Sequence, residues 1–335
     1  MSDTTLNAAG SGSIADTRLH DIVVGVDGSD ESFAALRWAL NEASLTGQQV
    51  NAVFAWSHSW DMGSEPEDEE QWAEVRHDIA QKLRDWVSEA SQGMTINEDH
   101  VKLTSVKATG TSALLEIGRD AQQIVVGRRS LGRVARWFLG SLSASLAEAA
   151  EVPVTVVRIL DNEESSVQDA IANALTPSEN TVTYDLPGSP LPRSQRPIVV
   201  GVDGSETSRH ALRFAIDLAA LHHAPLQVMF CWQLKDLGVI EGYENAIAPI
   251  AVGQERAERI LDELLDSVEI PTAGIPDDFQ IESHAFHISA AKGLIAASRY
   301  ARHLVVGSRG LSGLDAHFLG SVSKQIVNFA DCTVT

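Results

Sequence analysis

At 335 residues, the chain has room for two domains of ordinary size, each able to bury its own core. Hydrophobic residues make up 44% and charged residues 21%, a globular balance, and the formal net charge is −21. So large an acidic excess argues against DNA, RNA or an anionic membrane as partner, because those partners need a concentrated basic surface.

The first twenty residues are polar and carry no signal-peptide apolar core. A flexible leader over 1–19 and a cytoplasmic location are the expectation. From there apolar, β-branched runs alternate with helical patterns. Strands are expected near 21–27, 49–56, 101–108, 123–127 and 153–158, and helices near 30–46, 67–91, 111–119 and 141–150. Runs such as Ile22-Val23-Val24 and Val154-Thr155-Val156-Val157 are apolar or β-branched without alternation, as in strands covered on both faces. The acidic cluster from Glu65 to Glu70 precedes the second helix and reads as a solvated, helix-N-terminal charge run. Residues 161–196 lack sustained periodicity and read as a linker, with a weak helical signal over Val167 to Leu175.

The plan then starts again. Asp21-Ile22-Val23-Val24-Gly25-Val26-Asp27-Gly28-Ser29 returns 176 positions later as Pro197-Ile198-Val199-Val200-Gly201-Val202-Asp203-Gly204-Ser205. Ile124-Val125-Val126-Gly127 returns 180 positions later as Leu304-Val305-Val306-Gly307. Strands of the second copy are expected near 197–203, 225–232, 279–286, 303–307 and 331–335. Alternating βα elements imply a parallel, doubly wound sheet in each copy, over 20–160 and 197–335. The final strand looks short, with Thr333 where the first copy has Pro153; its pairing is expected to be weaker or to lean on a partner strand.

Ligands of doubly wound sheets bind at the carboxyl ends of strands where strand order reverses. Asp27-Gly28-Ser29 and Gly127 fall there in the first copy, Asp203-Gly204-Ser205 and Gly307 in the second. Gly307-Ser308-Arg309-Gly310 is followed, nine residues on, by Gly320-Ser321 at a helix start. Glycines let a backbone approach phosphate closely, and the free N–H groups of a helix start favour an anion. The first copy runs Gly127-Arg128-Arg129-Ser130 to Gly140-Ser141, with Ser130 in place of Gly310. A tight turn followed by a Ser-capped helix explains the same residues without a ligand, and duplication would copy that too.

These residues resemble the universal stress protein family, whose nucleotide-binding members carry Gly-x2-Gly-x9-Gly-Ser/Thr. The resemblance covers nearly everything but the leader and linker. It implies two Rossmann-like (adenine nucleotide alpha hydrolase-like) α/β domains, each a five-stranded parallel sheet sandwiched by helices. It implies ATP as ligand, one pocket per repeat, in a stress-response sensor or regulator rather than an enzyme. Carried over by position, Gly25, Asp27, Gly201 and Asp203 should face ribose and adenine, with the backbones of Val53 and Val228 against the base. Gly127 to Ser130 and Gly307 to Gly310, including Ser308, should line the phosphates. Gly140, Ser141 and Leu142, and Gly320, Ser321 and Val322, should close the phosphate end. Asp27 and Asp203 can assist Mg2+ beside the ATP or simply cap the turn into the first helix. Arg128, Arg129 and Arg309 can reach phosphate or stay as exposed loop cations. Serine at 130 weakens the first site if the loop needs a positive φ there. A homodimer or an intramolecular pseudo-dimer is implied, in the family through the fifth strands.

Cys231 and Cys332 lie in apolar strand-like runs without metal-ligand spacing, so both read as core residues. His222, His223, His284 and His287 form no ligand set and read as structural, and Trp56 and Trp232 as core or pocket wall. No P-loop is present, no nucleophile–base pair can be assembled, and no stretch reaches membrane-span length. Two other readings remain: a nucleotide-free interaction module of the same fold, and a slow ATPase.

Overall fold

The computed structural model describes residues 20–56, 68–95, 98–128, 141–159, 196–270, 275–276, 279–310 and 319–335. The expected leader, almost all of the linker with its weak helix, and Glu65 to Glu67 lie outside these residues. The first half runs β1 (Ile22–Gly25), α1 (Asp30–Thr46), β2 (Val50–Trp56), α2 (Glu69–Ala90), β3 (Val101–Lys107), α3 (Gly110–Ile117), β4 (Gln123–Gly127), α4 (Ser141–Ala149) and β5 (Val154–Val157). The second runs β6 (Ile198–Val202), α5 (Glu206–Leu221), β7 (Leu226–Cys231), α6 (Ile250–Asp266), β8 (Ile281–Phe286), α7 (Ala290–Ala297), β9 (His303–Val306), α8 (Ser321–Phe329) and β10 (Thr333–Val334).

Local chemistry starts the helices where the repeat places them. Ser29 caps α1 by accepting the Ser32 N–H at 3.2 Å, and Ser205 caps α5 by accepting the Ser208 N–H at 3.2 Å. Gly28 and Gly204, one residue earlier, both sit at φ +84°, a left-handed turn that a side chain resists. The unbroken apolar strands β1, β4 and β6 are buried almost throughout, as two-sided coverage requires.

The ten strands of the described residues form one sheet in the order β3-β2-β1-β4-β5-β10-β9-β6-β7-β8. Pairing is parallel within each half, and the two halves meet through an antiparallel pair, with Val334 opposite Val156. The short last strand therefore leans on β5 of the first half, and the Thr335 carbonyl also accepts the Val306 N–H at 2.9 Å. On one face, Leu36, Leu40 and Leu83 from α1 and α2 cover the first half, while Leu212, Ile216 and Leu261 from α5 and α6 cover the second. On the other face the core is continuous across the seam, joining Leu114, Leu146, Leu294, Ile326 and Val334 from both halves.

Polar groups at the seam are paired. Thr155 and Thr335 face each other with hydroxyls 2.7 Å apart; Thr155 donates to Gln123 Oε1 at 2.9 Å, and His303 Nε2 lies 2.8 Å from Thr335. One donor order satisfies the row: His303 N–H to Thr335, Thr335 to Thr155, Thr155 to Gln123. Beside it, His222 bridges the buried Glu42 of α1, at 2.7 Å, and Arg302, at 2.8 Å. The expected structural role holds for His222. Both cysteines are buried, and burial pushes the Cys231 thiol up to about 12. Among the described residues, no helix is long and apolar enough to cross a membrane.

Candidate functional site

The reversals of strand order fall between β1 and β4 and between β6 and β9, and the loops singled out by the repeat lie at their carboxyl ends. In the second half, three hydrogen bonds pin successive carbonyls of the loop after β9. Ser323 Oγ donates to Gly307 O at 2.7 Å, the Gly320 N–H to Ser308 O at 2.9 Å, and Thr207 Oγ1 to Arg309 O at 2.9 Å. No peptide bond described is cis, so within each peptide plane the next residue's N–H points the opposite way from the tied carbonyl. The N–H groups of Ser308, Arg309 and Gly310 thus face away from Ser323, Gly320 and Thr207. Successive amides so held are the makings of an anion cradle.

Asp203 closes the cradle from β6. Its Oδ1 accepts the Ser205 N–H at 2.9 Å, and its Oδ2 would lie 2.5 Å from a Cβ at Gly310. Gly310 is therefore glycine because a carboxylate presses against its Cα. Its φ lies outside the left-handed region, so the condition under which serine would be strained is not met at Gly310. Gly320 precedes α8 with φ −58° and ψ 149° and no side-chain cap, leaving the helix start to its own N–H groups, among them that of Val322. Arg309 is partly exposed and makes no ion pair among the described residues.

The first half repeats only part of this. Asp27 Oδ1 accepts the Ser29 N–H at 3.1 Å, the same turn as at Asp203. Gly127 lies under α1, where a Cβ would collide with the Glu31 carbonyl. Arg129, Ser130 and Gly140 fall outside the described residues. Ser141 begins α4, and Leu142 packs against the shared core. The expectation for Arg128 is phosphate contact or an exposed loop cation, and its guanidinium also makes contacts across the seam. Its Nη1 donates to Ala330 O at 3.0 Å and its Nη2 to Asn328 O, both in the second half. Sequence spacing cannot reveal a partner some 200 residues away.

Gly25 and Gly201 serve packing as well as any approach to ribose. A Cβ at Gly25 would come 3.0 Å from Leu114 Cδ1, and one at Gly201 2.5 Å from Leu294 Cδ1. Val53 and Val228 are buried mid-strand, and the Val53 carbonyl already accepts the Val26 N–H at 2.9 Å. The register also sets Met229, rather than Val228, in the place of Val53: Gly25 pairs with Val53, and Gly201 with Met229. Just past the end of β7, Trp232 is fully buried, donates to Gln254 at 3.1 Å and lies 4.5 Å from the His287 ring, a core residue held from both sides. Thr207 and Ser323 were missed from sequence. Ser323 had a signal, since Gly-Ser-x-Ser recurs as Gly140-Ser141-Leu142-Ser143 and Gly320-Ser321-Val322-Ser323.

A doubly wound α/β fold with glycine-rich loops at its switch points defines a Rossmann-like class of protein. The sequence model of the universal stress protein family matches residues 19–158 and 195–335, and the chain belongs to that family as a tandem-repeat member. A universal stress protein of Mycolicibacterium smegmatis is 29% identical over 323 residues, covering 94% of this chain and 96% of the relative. One of Mycobacterium tuberculosis is 28% identical over 315 residues, covering 93% of this chain and 94% of the relative. The crystal structure of a universal stress protein from Archaeoglobus fulgidus matches in fold, with a TM-score of 0.57 at 15% identity over 94% of this chain and 96% of that one.

Proposed function

We propose that the chain is an ATP-binding stress-response sensor or regulator of the cytoplasm, working by ligand-dependent change of its surface rather than by catalysis. The observation that carries this is the second loop, with three successive carbonyls tied inward and three successive amides turned out. The amides of Ser308, Arg309 and Gly310, the start of α8 at Ser321 and Val322, and the Arg309 guanidinium offer the donors a triphosphate accepts. One carboxylate, Asp203, stands beside them, a donor set that suits Mg2+ sharing phosphate oxygens. The metal would neutralise phosphate charge there. Binding stabilises the folded state by mass action and biases whichever surface differs between the bound and free forms. The two halves serve each other as the pseudo-dimer that two single-domain chains would otherwise form.

A second reading concerns the first half alone. Ser130 stands where Gly310 admits the Asp203 carboxylate, and Arg128 is committed to the seam. On that reading the first half is a nucleotide-free structural partner. Calorimetric titration of the full chain with ATP separates the two: two sites per chain support a pocket in each half, and one site supports the second reading. Gly320→Val should weaken the second site at least tenfold, because the added side chain starts 3.3 Å from the Ser308 carbonyl oxygen. No ATP binding at all would overturn the nucleotide assignment.

A further inference from the structure

We propose that Arg128 and Arg158, both from the first half, are positioning residues for the second half's phosphate site and act through α8. The inference rests on the reading that the second loop takes the triphosphate. At its N-terminal end, α8 is joined to that loop by the Gly320 N–H on Ser308 O and by Ser323 Oγ on Gly307 O. Its other end has no glycine cap: Ala330 follows with φ −62° and ψ 144°, an extended residue that turns no orphan carbonyl back on the helix. The last carbonyls are taken instead by side chains from across the seam. Arg128 donates to Asn328 O and Ala330 O, and Arg158 donates to Ala330 O. Arg158 also pairs with Asp331 at 2.9 Å, with side chains only 8% and 14% exposed, and Arg299 lies 3.8 Å from the same carboxylate.

Two guanidinium groups at a helix C-terminus complement its negative dipole end, and their residues directly follow the paired ends of β4 and β5, Gly127 and Val157. The helix between is nine residues, about 13 Å of stiff rod. Its core face is seated by Ile326 and Val327 in the cluster shared by both halves. A rod gripped at one end by the first half has its other end fixed in direction, and that end is where the second half's phosphates would lie. The repeat does not copy the arrangement at the matching position. Ser308 occupies the repeat position of Arg128, so the second half offers no guanidinium to α4 from that place. Arg128 follows Gly127 directly, so the first residues of the first loop are built into the affinity of the second.

The test uses the full chain and its Arg128→Gln, Arg158→Gln and Arg128→Lys variants. Affinities for ATP and for adenosine, which has no phosphate, are measured by calorimetry, and α8 amide exchange by mass spectrometry. The expected result for Arg128→Gln is ATP binding at the second site weakened about tenfold, adenosine binding within about twofold, and faster exchange over Lys324 to Phe329. Arg128→Lys should recover part of the loss, since one ammonium replaces a fork that spans two carbonyls. Unchanged ATP affinity, or equal losses for ATP and adenosine, would overturn the positioning role. So would a fall in the remaining ATP affinity when Arg128→Gln is added to Gly320→Val, which would return Arg128 to the first loop's own site. Failure of the unaltered chain to bind ATP removes the nucleotide assignment and this inference together; indifference of an ATP-binding chain to Arg128 removes only this inference.

Discussion

At the scale of single residues, the contact between Asp203 and Gly310 gives a direct test of why glycine recurs in this loop. In Gly310→Ala the new Cβ meets Asp203 Oδ2, so the carboxylate must swing and give up the Ser205 N–H. The expected cost is about 1 kcal/mol, the usual worth of such a turn or cap hydrogen bond. Urea denaturation of Gly310→Ala, Asp203→Ala and the double variant should show the costs to be non-additive, with Gly310→Ala nearly silent once Asp203 is gone. Full additivity would mean that the contact does not constrain the loop. The glycine spacing and Asp203 were legible in the sequence because the repeat displays them twice. The seam contacts of Arg128 were not legible for a physical reason: a guanidinium beside a glycine-rich loop looks like a phosphate ligand or an exposed cation until the fold brings a helix end to it. Thr207 was hidden as well, because its counterpart in the first copy is Glu31 and the repeat gives no hint of it.

Among the elements, α6 and β7 meet through an exchange of volume. Gly253 in α6 leaves room for the Trp232 indole, which a Cβ would approach to 2.8 Å at two ring carbons. The ring cannot move aside, since it is fully buried, hydrogen bonded to Gln254 and packed against His287. Gly253→Val should therefore destabilise the chain by about 1–3 kcal/mol through overpacking. Urea denaturation checks the cost, and a shift in tryptophan emission should accompany it; a variant of unchanged stability and spectrum would show that α6 can lift away freely. Element type and order were readable in the described residues because buried parallel strands are continuous apolar runs and α1 and α5 open on serine caps. The two-residue β10 was barely readable. A strand of that length has no periodicity, and only its place after α8 marks it.

For the molecule as a whole, the seam decides how the two halves respond to acid. Burial, with the nearby charges of His222 and Arg302, lowers the His303 pKa from 6.5 to about 3. Between those values the unfolded chain holds a proton that the folded chain does not, so stability is full above about pH 6.5 and falls as pH drops toward 3. At pH 5 the loss from this group is about 2 kcal/mol. His303→Gln, which copies Gln123 from the first half, should flatten urea stability between pH 7 and 5 by that amount, Glu42 and His222 remaining as before. A variant whose pH profile matches the parent's would show that His303 is not the group responsible. The burial of His303 beside His222 and Arg302 was not visible beforehand, because the repeat predicts two similar sheets; that the halves meet through their fifth strands came only from the family resemblance.

Thr155 and Thr335 meet their own images, as residues on the axis of a two-subunit assembly do. A dimer of identical subunits must accept every change on such an axis twice over, in both subunits at once. Fusing the subunits lifts that restriction, and the flanking pairs Gln123 with His303 and Arg128 with Ser308 have become unlike. One side of the joint can be titratable while the other is neutral, and one side can reach across while the other does not, which is freedom that a self-associating single-domain relative lacks.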